Sequence, residues 1–339
     1  MIIVFKPGIT KRDENAVLRE IRKLGYIPHV MRGVARTVVG AIGDELTHAT
    51  LETLTAQFPH AVESVIPIQK RYKLVSREAH PANSTVRVRE HVIGGKKFHV
   101  MAGPCSVESE KQLLTTAKAV KAAGATLLRG GAFKPRTSPY EFQGLGEKGL
   151  KLLDKARRET GLAIVTELLS EQHTDLVAEY TDIIQIGTRN AQNFQLLIAA
   201  AKTGKPILLK RGLAMKIEEW LLAGEYILAN ENPNLIFCER GIRTFETYTR
   251  NTLDLSAIPI IKRESHCPIV IDPSQGAGRA DLVSALCKGA VAMGADGLLI
   301  EVHPNPAEAW SDGAQQVTLE GFAKLMKELK PFLQAAGRE

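Results

Sequence analysis

The chain has 339 residues, 44% of them hydrophobic and 24% charged, and a net charge of +7. This is an ordinary globular composition with apolar mass for about two domains, and no run approaches the roughly 18 apolar residues of a membrane span. The Lys and Arg residues are scattered, with no long basic run and no interleaved aromatics, which excludes a nucleic-acid footprint and leaves small anions as the better match.

The opening "MIIVFKPGITKRDEN" has a five-residue apolar start followed by acids and bases, unlike a secretory signal. Cys105, Cys238, Cys267 and Cys287 are widely spaced and form no CxxC pair. A reducing, cytoplasmic setting is therefore expected.

Residues 1–70 read as one unit. "MIIVFKP" predicts a strand. "KRDENAVLREIRKLG" predicts a helix, with apolar residues at Val17, Leu18, Ile21 and Leu24 and Gly25 as the stop. "IPHVMRG" and "RTVVGAIG" predict two strands around a Gly-Val-Ala turn. A second helix, "DELTHATLETLTAQF", opens at a cap on Asp44, and "VESVIPI" closes the set as a strand. The order βαββαβ is the ferredoxin-like motif. Residues 71–97 are polar, carry Pro81, Asn83, Ser84 and two glycines, and predict a linker with a short hairpin.

From residue 98 to 339 strands and helices alternate. The predicted strands are 98–102, 126–129, 163–166, 183–186, 207–210, 235–239, 268–272 and 297–302, each followed by a helical pattern. Eight such units in about 240 residues fit a closed (β/α)8 TIM barrel. An open doubly wound sheet would call for a Gly-rich first turn of the GxGxxG kind, which is absent.

A barrel of this kind carries its active site at the C-terminal ends of its strands. Those ends bear Arg129, Lys134, Arg136, Arg189, Lys210 and Arg240. Any one of them alone reads as a solvated loop charge. Six cations at one rim repel one another unless anions lie between them, and Arg forks match phosphate and carboxylate oxygens. "KPRTS" (134–138) adds hydroxyl donors to two cations and reads as a phosphate cradle. A second group, Cys105, Glu301 and Asp312 with Asp272 and Gln275 nearby, brings a thiol and carboxylates from the first strand, the last strand and the loop beyond it. That donor set suits a divalent transition metal.

These stretches resemble a known family. "MAGPCSVES", "LLRGGAFKPRTSPYEFQGLG", "QIGTRNAQNF", "ILLKRG", "FCERGIRTFETYTRNTLD", "IDPSQGAG" and "LLIEVHPNPAEAWSDGAQ" are similar to the type Iβ 3-deoxy-D-arabino-heptulosonate 7-phosphate (DAHP) synthases over essentially the whole chain. The resemblance implies condensation of phosphoenolpyruvate with erythrose 4-phosphate, the first step toward aromatic amino acids. It implies that Arg129, Lys134, Arg189, Lys210 and Arg240 bind phosphoenolpyruvate, and that Arg136 and Thr137 hold the erythrose phosphate. Lys134 and Glu167 would serve in catalysis. A divalent ion of the Mn, Fe, Co or Zn class would sit on Cys105, Glu301, Asp312 and the residue at position 275. An aromatic amino acid effector on the N-terminal domain and a homotetramer are implied too; a bare oligomerisation module is the alternative.

Position 275 departs from the pattern. The family motif reads Asp-Pro-Ser-His with the histidine on the metal, whereas this chain has "DPSQ". Three readings stay open: Gln275 coordinates through its amide oxygen and weakens the site or shifts its metal preference, His303 substitutes, or metal binding is lost and the protein is an impaired ligand sensor. Two other chemistries compete. One is a 3-deoxy-octulosonate 8-phosphate synthase acting on arabinose 5-phosphate; the other is a Schiff base on Lys210.

Overall fold

A computed structural model describes residues 1–33, 36–43, 51–66 and 71–339 of the chain. They fall into two compact units: Met1–Ala82 with Glu264–His266, and Asn83–Arg263 with Cys267–Glu339.

In the first unit β1 (Ile2–Phe5), β2 (Ile27–Arg32), β3 (Thr37–Ile42) and β4 (Val62–Ile66) form an antiparallel sheet in the order β2-β3-β1-β4. The helix α1 (Lys11–Lys23) begins at Thr10, whose hydroxyl accepts from the Asp13 amide at 3.1 Å. It buries Val17, Leu18 and Ile21 in the same core as Ile3, Phe5 and Val39. Where the second helix is expected, the described residues form α2 (Leu54–Gln57), and the expected Asp44 cap lies outside the described residues. The ferredoxin-like order is the expected one.

In the second unit eight parallel strands close into a barrel in chain order: β7 (His99–Gly103), β8 (Leu127–Arg129), β9 (Ala163–Leu168), β10 (Ile183–Ile186), β11 (Ile207–Lys210), β12 (Leu235–Glu239), β13 (Ile269–Ile271) and β14 (Gly297–Glu301). Ladders join each strand to the next, and β14 returns to β7. These runs are apolar almost throughout because both faces of a barrel strand are covered. The predicted hairpin is present as β5 (Val86–Val88) and β6 (His91–Ile93). It belongs to the barrel: Val86, Val88 and Ile93 share a core with Met101, Leu127, Val165, Leu208 and Leu299. Among the described residues no helix is long and apolar enough to cross a membrane.

Candidate active site

The C-terminal strand ends surround a cavity of about 360 Å³. Its wall carries Arg129, Lys134, Arg136, Thr137, Glu167, Arg189, Lys210, Arg240, Gln275 and Asp312, all expected from sequence. Arg243, Arg250, Glu141, Gln185 and Asn251 join them. Eight cationic side chains thus face three carboxylates, a strong excess of positive charge in one cavity.

Arg129 closes β8. Its Nη1 donates to Glu301 Oε1 and to the Pro104 carbonyl, both at 2.9 Å. Burial opposes its charge, but Glu301 and the neighbouring anions outweigh this and its pKa is raised. Arg240 follows β12; burial lowers its pKa, and Asp272 compensates only in part. Arg129 Nε and Arg240 Nε are both buried with no hydrogen-bond partner among the described residues. Buried donors of this kind are rare without a ligand or ordered water, and two forked guanidinium groups suit an oxyanion.

Lys134 reaches back under the loop after β8, and its Nζ donates to Cys105 O and Sγ, each at 3.1 Å. Gly131 makes this path possible, since a Cβ there would lie 2.8 Å from Lys134 Cδ. Lys210, at the end of β11, donates to Asp272 Oδ2 at 2.6 Å. Glu167 lies within β9, and Gly187 leaves room for it: a Cβ there would lie 1.8 Å from Glu167 Oε1. Arg136 pairs with Glu141 at 2.7 Å, and Arg189 donates to Thr137 Oγ1 at 3.4 Å. Arg211 and Glu239, also at strand ends, pair with each other at 2.9 Å instead of facing the cavity.

Cys105, Glu301 and Asp312 present one ligand atom each, all within 4.8 Å of one another. A thiol and two carboxylates fit three positions around a divalent transition ion. Burial first, then Glu301, push the Cys105 thiol up to about 11. Burial opposes ionisation of Asp312, yet Arg250 and Lys134 prevail and hold it at about 2. Gln275 sits beside the cluster on a short helix, Pro273–Ala277, that Asp272 caps through the Gln275 amide at 2.9 Å. His303 does not join them. Its Nε2 meets Glu108 Oε2 at 3.2 Å and its Nδ1 accepts from the Asn305 amide at 3.1 Å, so both ring nitrogens are engaged.

Sequence reasoning assigned no role to Arg243, Arg250 or Gln315. Arg250 donates to Asp312 Oδ1 at 3.1 Å and to Gln315 Oε1 at 3.2 Å, and Gln315 donates to Glu301 Oε2 at 2.6 Å. The two arginines lie in "ERGIRTFETYTRN", whose cations were a usable signal.

A (β/α)8 barrel whose mouth holds a basic cavity beside a thiol–carboxylate cluster defines an enzyme of anionic substrates. The chain belongs to the DAHP synthetase I family, which matches residues 77–335, and residues 1–70 match the DAHP synthase ferredoxin-like domain. It is 50% identical over 339 residues to a phospho-2-dehydro-3-deoxyheptonate aldolase of Thermotoga maritima, covering 99% of each chain. The crystal structure of a phospho-2-dehydro-3-deoxyheptonate aldolase (DAHP synthase) from Thermotoga maritima superimposes with a TM-score of 0.79 at 49% identity, covering 100% of this chain and 98% of that one. A 2-dehydro-3-deoxyphosphooctonate aldolase of Caulobacter vibrioides is 34% identical, over 74% of this chain and 91% of its own length.

Proposed function

We propose that the chain joins phosphoenolpyruvate to erythrose 4-phosphate, giving DAHP and inorganic phosphate. The observation that carries this is the pair of buried, unpartnered guanidinium Nε groups in a cavity with eight cations. Two phosphorylated anions repel each other, and such a wall neutralises both while holding them in register.

Arg129, Lys134, Arg189, Lys210 and Arg240 hold phosphoenolpyruvate. Arg136 and Thr137 take the phosphate of the aldose. C3 of the enol attacks the aldehyde carbon, water adds at C2, and the resulting phosphohemiketal expels phosphate. Lys134 stands beside the aldehyde as proton donor, and Glu167 positions the water. Cys105, Glu301 and Asp312 would hold a divalent ion, whose chemistry there is Lewis-acid polarisation of the aldehyde oxygen.

Full-length identity to the heptonate aldolase, against partial matches to octonate aldolases, supports erythrose 4-phosphate over arabinose 5-phosphate. Phosphate release measured with each aldose in turn is the test: turnover with arabinose 5-phosphate equal to or above that with erythrose 4-phosphate refutes this choice. Residues 1–70 act as a regulatory domain for an aromatic amino acid in a cytoplasmic homotetramer; their match to the ferredoxin-like domain of these synthases supports this.

A further inference from the structure

The carboxamide of Gln275 lies between Arg240 and the Cys105–Glu301–Asp312 cluster. Its Oε1 accepts from Arg240 Nη2 at 3.0 Å. Its Nε2 donates to Glu301 Oε1 at 3.0 Å and to Asp312 Oδ2 at 3.3 Å. A guanidinium can only donate, and an ionised carboxylate can only accept. The amide is therefore held one way round. Turned over, it would set N–H against N–H at Arg240 and oxygen against carboxylate oxygen at the cluster. The main chain is fixed as well, with the Gln275 amide on Asp272 Oδ1 at 2.9 Å and its carbonyl accepting from Asn251 Nδ2 at 3.0 Å.

We infer that Gln275 is a positioning residue and not a cation ligand: it ties Arg240 to Glu301 and Asp312 by offering them its N–H groups. This rests on reading the cluster as a cation site. The two carboxylates it touches are two of the three protein donors there. Glu301 Oε1 already accepts from Arg129 Nη1 at 2.9 Å, and Asp312 Oδ1 from Arg250 at 3.1 Å. An incoming ion must then compete with the amide for the same oxygens and gains no fourth side-chain donor from position 275. Deleting a true ligand changes the ion's coordination sphere, whereas deleting an outer hydrogen-bond donor leaves the ligand atoms in place and lowers affinity by roughly 10–100-fold at most. The ligand-field spectrum separates the two roles.

The same bond makes Gln275 a brace for the anion site. Arg240 Nη1 donates to the Gly241 carbonyl at 3.2 Å, Nη2 to Gln275, and Nε has no partner among the described residues. Without Gln275 the guanidinium loses its tie to the cluster side of the cavity.

The experiment titrates Co²⁺ into metal-stripped full-length protein, Gln275→Ala and Gln275→Leu. Calorimetry gives the affinity, the thiolate-to-cobalt absorption band reports Cys105, and thermal melting reports the fold. Gln275→Leu keeps most of the side-chain bulk without any donor atom and covers the case in which the alanine variant does not fold. Expected are an unchanged thiolate band and ligand-field spectrum, a Co²⁺ affinity lowered by no more than the roughly 10–100-fold of a lost outer-shell contact, and a raised KM for phosphoenolpyruvate. A shifted ligand-field spectrum, or affinity lowered by more than about 100-fold, makes Gln275 a ligand and overturns the inference while leaving the cation site standing. No Co²⁺ uptake by any of the three proteins overturns the cation reading, and this inference with it.

Discussion

Arg129 and Glu301 form an ion pair at 2.9 Å in which the guanidinium is 5% exposed and the carboxylate fully buried. One residue ends β8 and the other ends β14, so the pair links both candidate subsites across the strand between them. A buried charge left without its partner typically destabilises by about 3–5 kcal/mol. Glu301→Ala should lower the unfolding free energy by that order, read from the denaturant midpoint. A variant as stable as the parent would show that solvent or Asp272 compensates Arg129 in full.

Gly187 is the floor under Glu167. Its φ of −73° suits any residue, so the constraint is steric: a methyl group would overlap the carboxylate. Gly187→Ala should push Glu167 into the cavity and lower kcat by about 10²-fold, the scale of a displacement near 1 Å. The crystal structure and steady-state kinetics of the variant check this. Unchanged kcat would remove Glu167 from the catalytic set.

Lys210 is committed to Asp272 at 2.6 Å, with both side chains buried. An ammonium in an ion pair has no free electron pair with which to attack a carbonyl. Borohydride added during turnover should leave the mass of the protein unchanged. A reduced adduct at Lys210 would replace the metal-assisted reading with imine chemistry.

His99 lies in the barrel wall, its ring nitrogens facing Thr126 Oγ1 at 3.2 Å and the Val92 carbonyl at 3.1 Å. Burial, and then the neighbouring His91, lower its pKa from 6.5 to about 4. The unfolded chain therefore binds more protons than the folded one between those values, so stability contributed by neutral His99 is present above pH 6.5 and is lost as pH falls toward 4. Denaturant midpoints should fall across that window and fall less in His99→Gln. Parallel slopes in the two proteins would assign the loss to other groups.

Residues 1–70 should carry the effector site. Tyrosine and phenylalanine are expected to inhibit the full chain and not a form beginning near residue 77. Equal inhibition of both forms would place the effector elsewhere.

The barrel was legible because its strands are buried on both sides. "IIQI", "ILLK" and "LIFCE" stand out as unbroken apolar runs and are strands at the predicted limits. The seventh barrel strand, β13, differs. Pro268 has no N–H for the ladder, and Asp272 turns away to cap the helix Pro273–Ala277. The third barrel strand, β9, runs on to Leu168, so Glu167 is held within the sheet and not beyond it. The partners of each charge were not legible. Arg250 meets Asp312 across 62 positions, and Gln275 faces as it does because one neighbour can only give protons and the other two can only receive them. Those are tertiary facts with no local signature.

The excess of guanidinium and ammonium groups around a single opening has a practical consequence at the bench. Sulfate and phosphate buffers will crowd the same entrance as competing ions, and raising ionic strength will slow the approach of anionic reactants before it alters any bond-making event. Kinetic constants for this chain therefore have meaning only alongside the salt in which they were obtained.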